Sequence, residues 1–169
     1  MLERRRARDV PPDTRRVRDR IAFRRQSDDL GAVLPRFNGW WDALCLQHGL
    51  EPADGVCNEF GYHVVELIKN SLMAGDHVFV GASVSRRELA ARIQDDGAGF
   101  ADALEDRRLS LGQGYGLEGA IEFADEIRIE SRGHVYFKTP LGLKVEARET
   151  RPGTRIFLRK SCLISRGGH

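Results

Sequence analysis

Apolar residues recur along this chain with two periods, and the switches between them divide it into elements. RIAFRR (20–25) alternates apolar and charged positions, the period of a short strand. A helical period follows, with Leu30, Val33, Leu34, Phe37, Trp41 and Leu44 on one stripe. Ser27 or Asp28 is placed to cap that helix, Pro35 sits near its first turns, and Gly49 ends it. PADG (52–55) reads as a turn, and a second helix is predicted from Cys57 to Met73, its stripe formed by Val64, Leu67, Ile68 and Leu72. Residues 77–85 and 88–95 alternate as strands, and the two-residue link Arg86-Arg87 predicts a hairpin. In the second strand Leu89, Ala91 and Ile93 share one face, and Asp95 falls in the same register. Residues 97–116 are glycine-rich and polar with no sustained period, which predicts a mobile loop. A short helix (116–125) then leads into IRIE, HVYFK, LKVEARE and TRIFLRK, which alternate like antiparallel strands. The expected fold class is α/β (α+β), a two-layer sandwich with one mostly antiparallel sheet and helices on one face.

Length and composition narrow the setting. A chain of 169 residues, 41% hydrophobic, suits one domain with a real core. No apolar run approaches the roughly 20 residues that cross a bilayer, and no apolar stretch follows the N-terminal arginines as in a secretory signal, so a cytoplasmic protein is expected. Cys45, Cys57 and Cys162 are odd in number and lack C-x-x-C spacing, so reduced thiols are expected rather than a disulfide framework or a zinc knuckle. The net charge of +2 is unevenly spread: residues 1–25 carry ten arginines against four acids. Residues 1–19 read as a disordered, solvated basic arm. The arm lacks the interleaved aromatics of a nucleic-acid stacking platform, so nucleic acid is not the expected partner, although the charge leaves it open. Residues 161–169 read as a tail. Trp40 and Trp41 are expected to divide between core and surface.

Three polar patterns carry candidate chemistry. GYGLEG (114–119) matches G-x-G-x-x-G, but a dinucleotide turn needs a strand directly before it and an acid roughly 20 residues on. Upstream only Leu109 to Leu111 has strand character, and Glu130 comes too soon for a full crossover. The glycines parse better as Gly112, Gly114 and Gly116 followed by Leu117, a G-x-G-x-G-L turn at a helix mouth, where backbone N–H groups meet phosphate. ELIKNSLMAG (66–75) places Glu66 and Asn70 one turn apart on a helix, a carboxylate able to act as a base beside an amide oxygen able to hold Mg²⁺. QDDGAGF (94–100) contains D-x-G-x-G as Asp95, Gly97 and Gly99. A carboxylate aimed at the core requires a partner, and an adenine amino group is one. Arg107 and Arg108 read as solvated loop charges.

In this order, with Pro152-Gly153-Thr154 before the last strand, the motifs resemble the GHKL (histidine kinase-like) ATPase superfamily over roughly residues 20–160. The front part is similar to the stand-alone bacterial anti-sigma factors that are also serine-protein kinases. The resemblance implies a Bergerat-type ATP-binding fold with a mobile ATP lid, and ATP and Mg²⁺ as cofactors. Glu66 would be the catalytic base and Asn70 the Mg²⁺ ligand. Asp95 would read the adenine amino group in a pocket shaped by Gly97 and Gly99. Gly112, Gly114, Gly116 and Leu117 would form the lid hinge over the phosphates, and Thr154 would support the adenine pocket through water. It further implies a regulatory protein partner, a sigma factor or antagonist-like substrate, phosphorylated on Ser/Thr or sequestered, and it admits a homodimer. Alternatives are an ATP-dependent binding module and an orphan histidine-kinase catalytic domain, for which no dimerisation helix with a phosphoacceptor His is evident. Met73 stands where topoisomerase and mismatch-repair relatives usually have Asp, Ala74-Gly75 resembles the mismatch-repair pattern more than the kinase one, Lys69 precedes the Asn where kinases vary, and the hairpin 132–149 is longer than a minimal anti-sigma kinase needs.

Overall fold

The computed structural model describes residues 17–26, 30–99 and 115–162. Among these, the alternating segments form β1 (Val17–Arg24), β2 (His77–Val84), β3 (Glu88–Asp95), β4 (Glu126–Ser131), β5 (His134–Thr139), β6 (Gly142–Ala147) and β7 (Thr154–Ser161). They make one sheet in the order β1-β2-β3-β7-β4-β5-β6, with every neighbouring pair antiparallel. The β2–β3 hairpin closes around Arg86-Arg87: Ser85 N–H donates to Glu88 O (2.9 Å) and Glu88 N–H to Ser85 O (3.3 Å). The sheet reaches three residues earlier than the boundary read at residue 20.

Three helices are described: α1 (Leu30–Leu46), α2 (Gly55–Ala74) and α3 (Tyr115–Phe123). They pack on one another and on one face of the sheet. The predicted stripe of α1 is the buried one, through Val33, Phe37, Trp41 and Leu44, with Leu30 and Leu34 left exposed at its start. The helix runs through Pro35. Stacked rings tie the layer together: Phe37 on Trp41 (6.0 Å) and Trp41 on Phe60 of α2 (5.5 Å), while the Trp41 indole N–H donates to Cys57 O (3.2 Å). Trp41 is buried and Trp40 half-buried, as the sequence suggested. The helix α3 ends where two cations take over its free carbonyls. Lys138 Nζ donates to Glu122 O and Ala124 O, and Lys160 Nζ to Phe123 O, a placement the helix dipole favours.

The core lies between the two layers, with Phe23, Phe60, Ile68, Val80, Leu89, Ile93, Ile129 and Ile156 among its buried members. The opposite face of the sheet carries no helix among the described residues. Its side chains, such as Phe79 and Arg92, are exposed. No described helix is long and apolar enough to cross a membrane. The three cysteines are free thiols.

Candidate functional site

The site begins at the end of β3, where strand alternation sends Asp95 to the core side, 3% exposed. Its Oδ1 accepts two backbone N–H bonds, from Gly97 (3.0 Å) and Thr154 (3.0 Å). Its Oδ2 is buried with no hydrogen-bond partner. Burial pushes the carboxyl above its usual range, and the two backbone N–H groups and the nearby Ser71 hydroxyl act against that. Thr154 is itself buried, its hydroxyl 3.4 Å from that of Ser131.

The next residue faces the other way. Asp96 accepts from the backbone N–H groups of Asp76 (2.8 Å) and His77 (2.9 Å), and its second oxygen meets His77 Nδ1 (2.7 Å). The His77 bonds, followed by that of Asp76, hold this carboxyl below the usual range despite slight desolvation. The same bonds fasten the link between α2 and β2 to the tip of β3. The approach is close enough to exclude a side chain at Gly97, where a Cβ would stand 2.5 Å from Ala74 O. On the other side Gly153, at φ 77°, lets the chain before β7 cross the end of β3, where a Cβ would run into Asp95 O. Arg132 Nε donates to Ala98 O (2.8 Å) and steadies the chain beyond Gly97, next to Gly99.

The second cluster lies on α2. Glu66 and Asn70 are half-buried, one turn apart, beneath the start of α3. Buried Leu117 anchors α3 in the core and sets Gly116 against them: a Cβ on Gly116 would stand 3.0 Å from Glu66 Cβ and 3.2 Å from Asn70 Nδ2. Lys69 Nζ pairs with Glu66 Oε1 at 2.9 Å. Consecutive residues join the two clusters, because Asn70 belongs to the second and Ser71 adjoins Asp95.

Of the residues singled out in the sequence, Asp95, Gly97, Gly99 and Thr154 gather at the β3–β7 end, and Glu66, Asn70 and Gly116 gather at the α2–α3 contact. Leu117 is a core anchor. Gly112 and Gly114 lie outside the described residues, as do Ser27, Asp28, Arg107, Arg108, residues 1–16 and residues 163–169. Sequence reasoning missed Ser71, Ser131 and Arg132, and considered His63 only as a ligand beside Cys57, for which nothing completes a set. His63 is buried on α2 with Nδ1 unpartnered, against Phe123 (4.9 Å) and Gly119. Burial lowers its pKa, against weaker opposing pulls from Glu59 and Glu66. The spacing His63, Glu66, Asn70 was the signal available, since i, i+3 and i+7 share one helix face.

The arrangement offers a buried acceptor oxygen for a ligand N–H group, and two oxygen-bearing side chains on α2 for a hard cation or a reacting hydroxyl. Among the described residues no three His, Cys, Asp or Glu side chains gather as a metal cluster. No known protein-family model matches the chain, and no curated protein matches it.

Proposed function

We propose that the chain is an ATP- and Mg²⁺-binding regulatory protein of the histidine kinase-like ATPase type, with a Bergerat-type fold, that phosphorylates a partner protein on Ser/Thr or sequesters it. The observation that carries this reading is the unpartnered Oδ2 of Asp95. A buried acceptor left without a donor costs roughly 1–3 kcal/mol, which a ligand donor recovers. The amino group of adenine is such a donor, whereas guanine presents a carbonyl at the same ring position and is repelled. Gly97 and Gly153 let the α2–β2 link and the chain before β7 close tightly around this carboxylate, which fixes its position for a ligand.

The α2 residues fit the remainder. Mg²⁺ takes one or two protein oxygens and fills its other positions with phosphate and water, so Asn70 suffices without a larger ligand cluster and Glu66 is left to act as the base. Bound nucleotide would supply the phosphoryl group. Glu66 would accept the proton of the acceptor hydroxyl, and Asp95 and Thr154 would fix the base.

One observation favours a second reading, an ATP-dependent binding module without phosphotransfer. Lys69 holds Glu66 Oε1, which leaves the base a single free oxygen.

The test incubates the full chain with labelled ATP, Mg²⁺ and host lysate, wild type beside Glu66→Ala. Acid-stable label on a partner, lost in the variant, supports the kinase. Nucleotide-dependent capture without label supports the module, and acid-labile label indicates a histidine acceptor. Absence of calorimetric heat on adding magnesium ATP to purified protein overturns all three.

A further inference from the structure

The face of the sheet opposite the helices has a chemistry of its own, independent of the nucleotide reading. Antiparallel register aligns residues of neighbouring strands into rows on one face. One row reads Arg20, Gly81, Arg92, Phe157, Arg128 across β1, β2, β3, β7 and β4. Beside it Arg18 of β1 and Phe79 of β2 belong to the flanking rows.

The arginines divide into two groups. Arg128 and Arg155 are engaged by Glu130 (2.6 and 3.6 Å), and Arg159 by Glu88 (3.1 Å) and Glu126 (2.9 Å). Those three cations are balanced by three carboxylates. Arg18, Arg20 and Arg92 are exposed, and no carboxylate of the described residues lies within ion-pair distance of them. They are the excess charge of the face. Phe79 is 56% exposed in mid-strand, where its neighbours give it no cover. Between Arg20 and Arg92 the floor is bare at Gly81, and Ala22, Ser83 and Ala90 keep it low.

We propose that this uncovered sheet face binds single-stranded nucleic acid, with phosphates on Arg18, Arg20 and Arg92 and bases stacked on Phe79 and Phe157. Charge complementarity requires an anionic occupant. It disfavours a second copy of the chain, which would bring arginines against arginines. The trough over β1, β2, β3 and β7, about 1390 Å³, is open to solvent rather than an enclosed small-molecule pocket, and so suits an extended occupant. Peptides dock at sheet edges or in grooves, whereas a flat face that carries the exposed ring of Phe79 and the half-buried ring of Phe157 among its arginines suits planar bases. A cavity of about 340 Å³ continues the surface beyond Phe157, its lining five arginines (Arg128, Arg132, Arg148, Arg151 and Arg155) against the carboxylates of Glu130 and Glu149. The aromatics missing from the arm of residues 1–19 are thus present on the sheet.

The test uses the full chain and a fluorescein-labelled oligothymidylate of about twenty nucleotides, longer than the ~4–16 nucleotides one such fold covers. Anisotropy is followed between ~50 and ~200 mM salt. Three phosphate contacts predict a log–log slope of about −2, so binding weakens roughly twentyfold across that range. Arg20→Ala with Arg92→Ala brings the slope to about −0.7. Phe79→Ala weakens binding by a factor of roughly 5 or more with the slope unchanged, and Phe79→Trp restores it. All three side chains are exposed, and circular dichroism checks that each variant folds.

Several results overturn the proposal. One is no saturable binding at the lowest salt. Another is polyglutamate competing as well as the oligonucleotide while Phe79→Ala has no effect, which would make the face an acidic-protein site. A third is tighter binding of a duplex of equal length. A fourth is binding that survives the double arginine variant but is lost when Arg4, Arg5, Arg6 and Arg8 become serine.

Discussion

Asp95 and Asp96 are neighbours in sequence whose environments drive them in opposite directions, and their pH dependence separates them. Asp95 has its pKa raised by burial, so its contribution to stability is complete below the unfolded pKa and is lost as pH rises through the folded one. Asp96 has its pKa lowered by the N–H groups around it, so its contribution is present above the unfolded pKa and is lost as pH falls through the folded one. Urea unfolding near pH 4 and pH 7 tests both. Asp95→Asn keeps an oxygen for Gly97 and Thr154 and removes the charge, so its stability relative to wild type improves as pH rises. Asp96→Asn shows the reverse, with its deficit largest at pH 7 and shrinking toward acid. Equal slopes for the two variants contradict this assignment. The inward placement of Asp95 was legible, because period-2 alternation from Leu89 fixes it. The surroundings of its carboxylate were not: Thr154, which bonds Oδ1, lies 59 residues away and nearby Ser71 sits on a helix, and nothing local in the sequence specifies either approach.

Among elements, the α2–α3 contact makes a sharper prediction than helix propensity alone. Gly39 sits inside α1 with nothing within 4 Å of where a Cβ would stand, so Gly39→Ala raises stability by about 0.5–1 kcal/mol. Gly116 is also helical, but its Cβ would press on Glu66 and Asn70 at 3.0 and 3.2 Å. Gly116→Ala forces α3 outward or turns the Asn70 amide, and overpacking of this kind costs roughly 1–3 kcal/mol, against which a gain in propensity near a helix start is small. Thermal melts therefore move in opposite directions for the two glycine-to-alanine changes. A rise for both sinks the assignment of a tight α2–α3 contact. Most element positions were readable from period: the strand 88–95 matches β3 residue for residue, and the hairpin at Arg86-Arg87 is closed as expected. Strand order was not readable, since β7 inserts between β3 and β4 through pairings far apart in sequence. The alternation in 143–149 suggested a half-buried strand. Leu143 and Val145 of β6 are exposed, because the helical layer does not extend over that edge of the sheet.

For the whole molecule, the sheet separates two surfaces. The helical layer encloses the Asp95 carboxylate at one strand end, and the opposite face gathers arginines. The sequence revealed the charge asymmetry of residues 1–25 but not that Arg18 and Arg20 of that segment share a face with Arg92, which depends on the β1–β2–β3 register. On the proposed reading a nucleotide bridges the layers and stabilises the whole fold by mass action, so its binding would appear in global unfolding. At a free concentration a hundredfold above its Kd, magnesium ATP adds about 2.7 kcal/mol, and a domain of this size responds with a rise in Tm of roughly 5–10 °C. Magnesium GTP at the same concentration leaves Tm unchanged, because its ring carbonyl faces the Asp95 oxygen where adenine offers an N–H group. In Asp95→Asn the amide –NH₂ replaces that acceptor, and the ATP-induced rise disappears although the unliganded variant still melts cooperatively. The double variant Arg20→Ala with Arg92→Ala keeps the full ATP shift, since its side chains lie on the other face. An equal shift with GTP, or a shift that survives Asp95→Asn, would place the nucleotide away from the end of β3 and leave the unpartnered oxygen without its ligand.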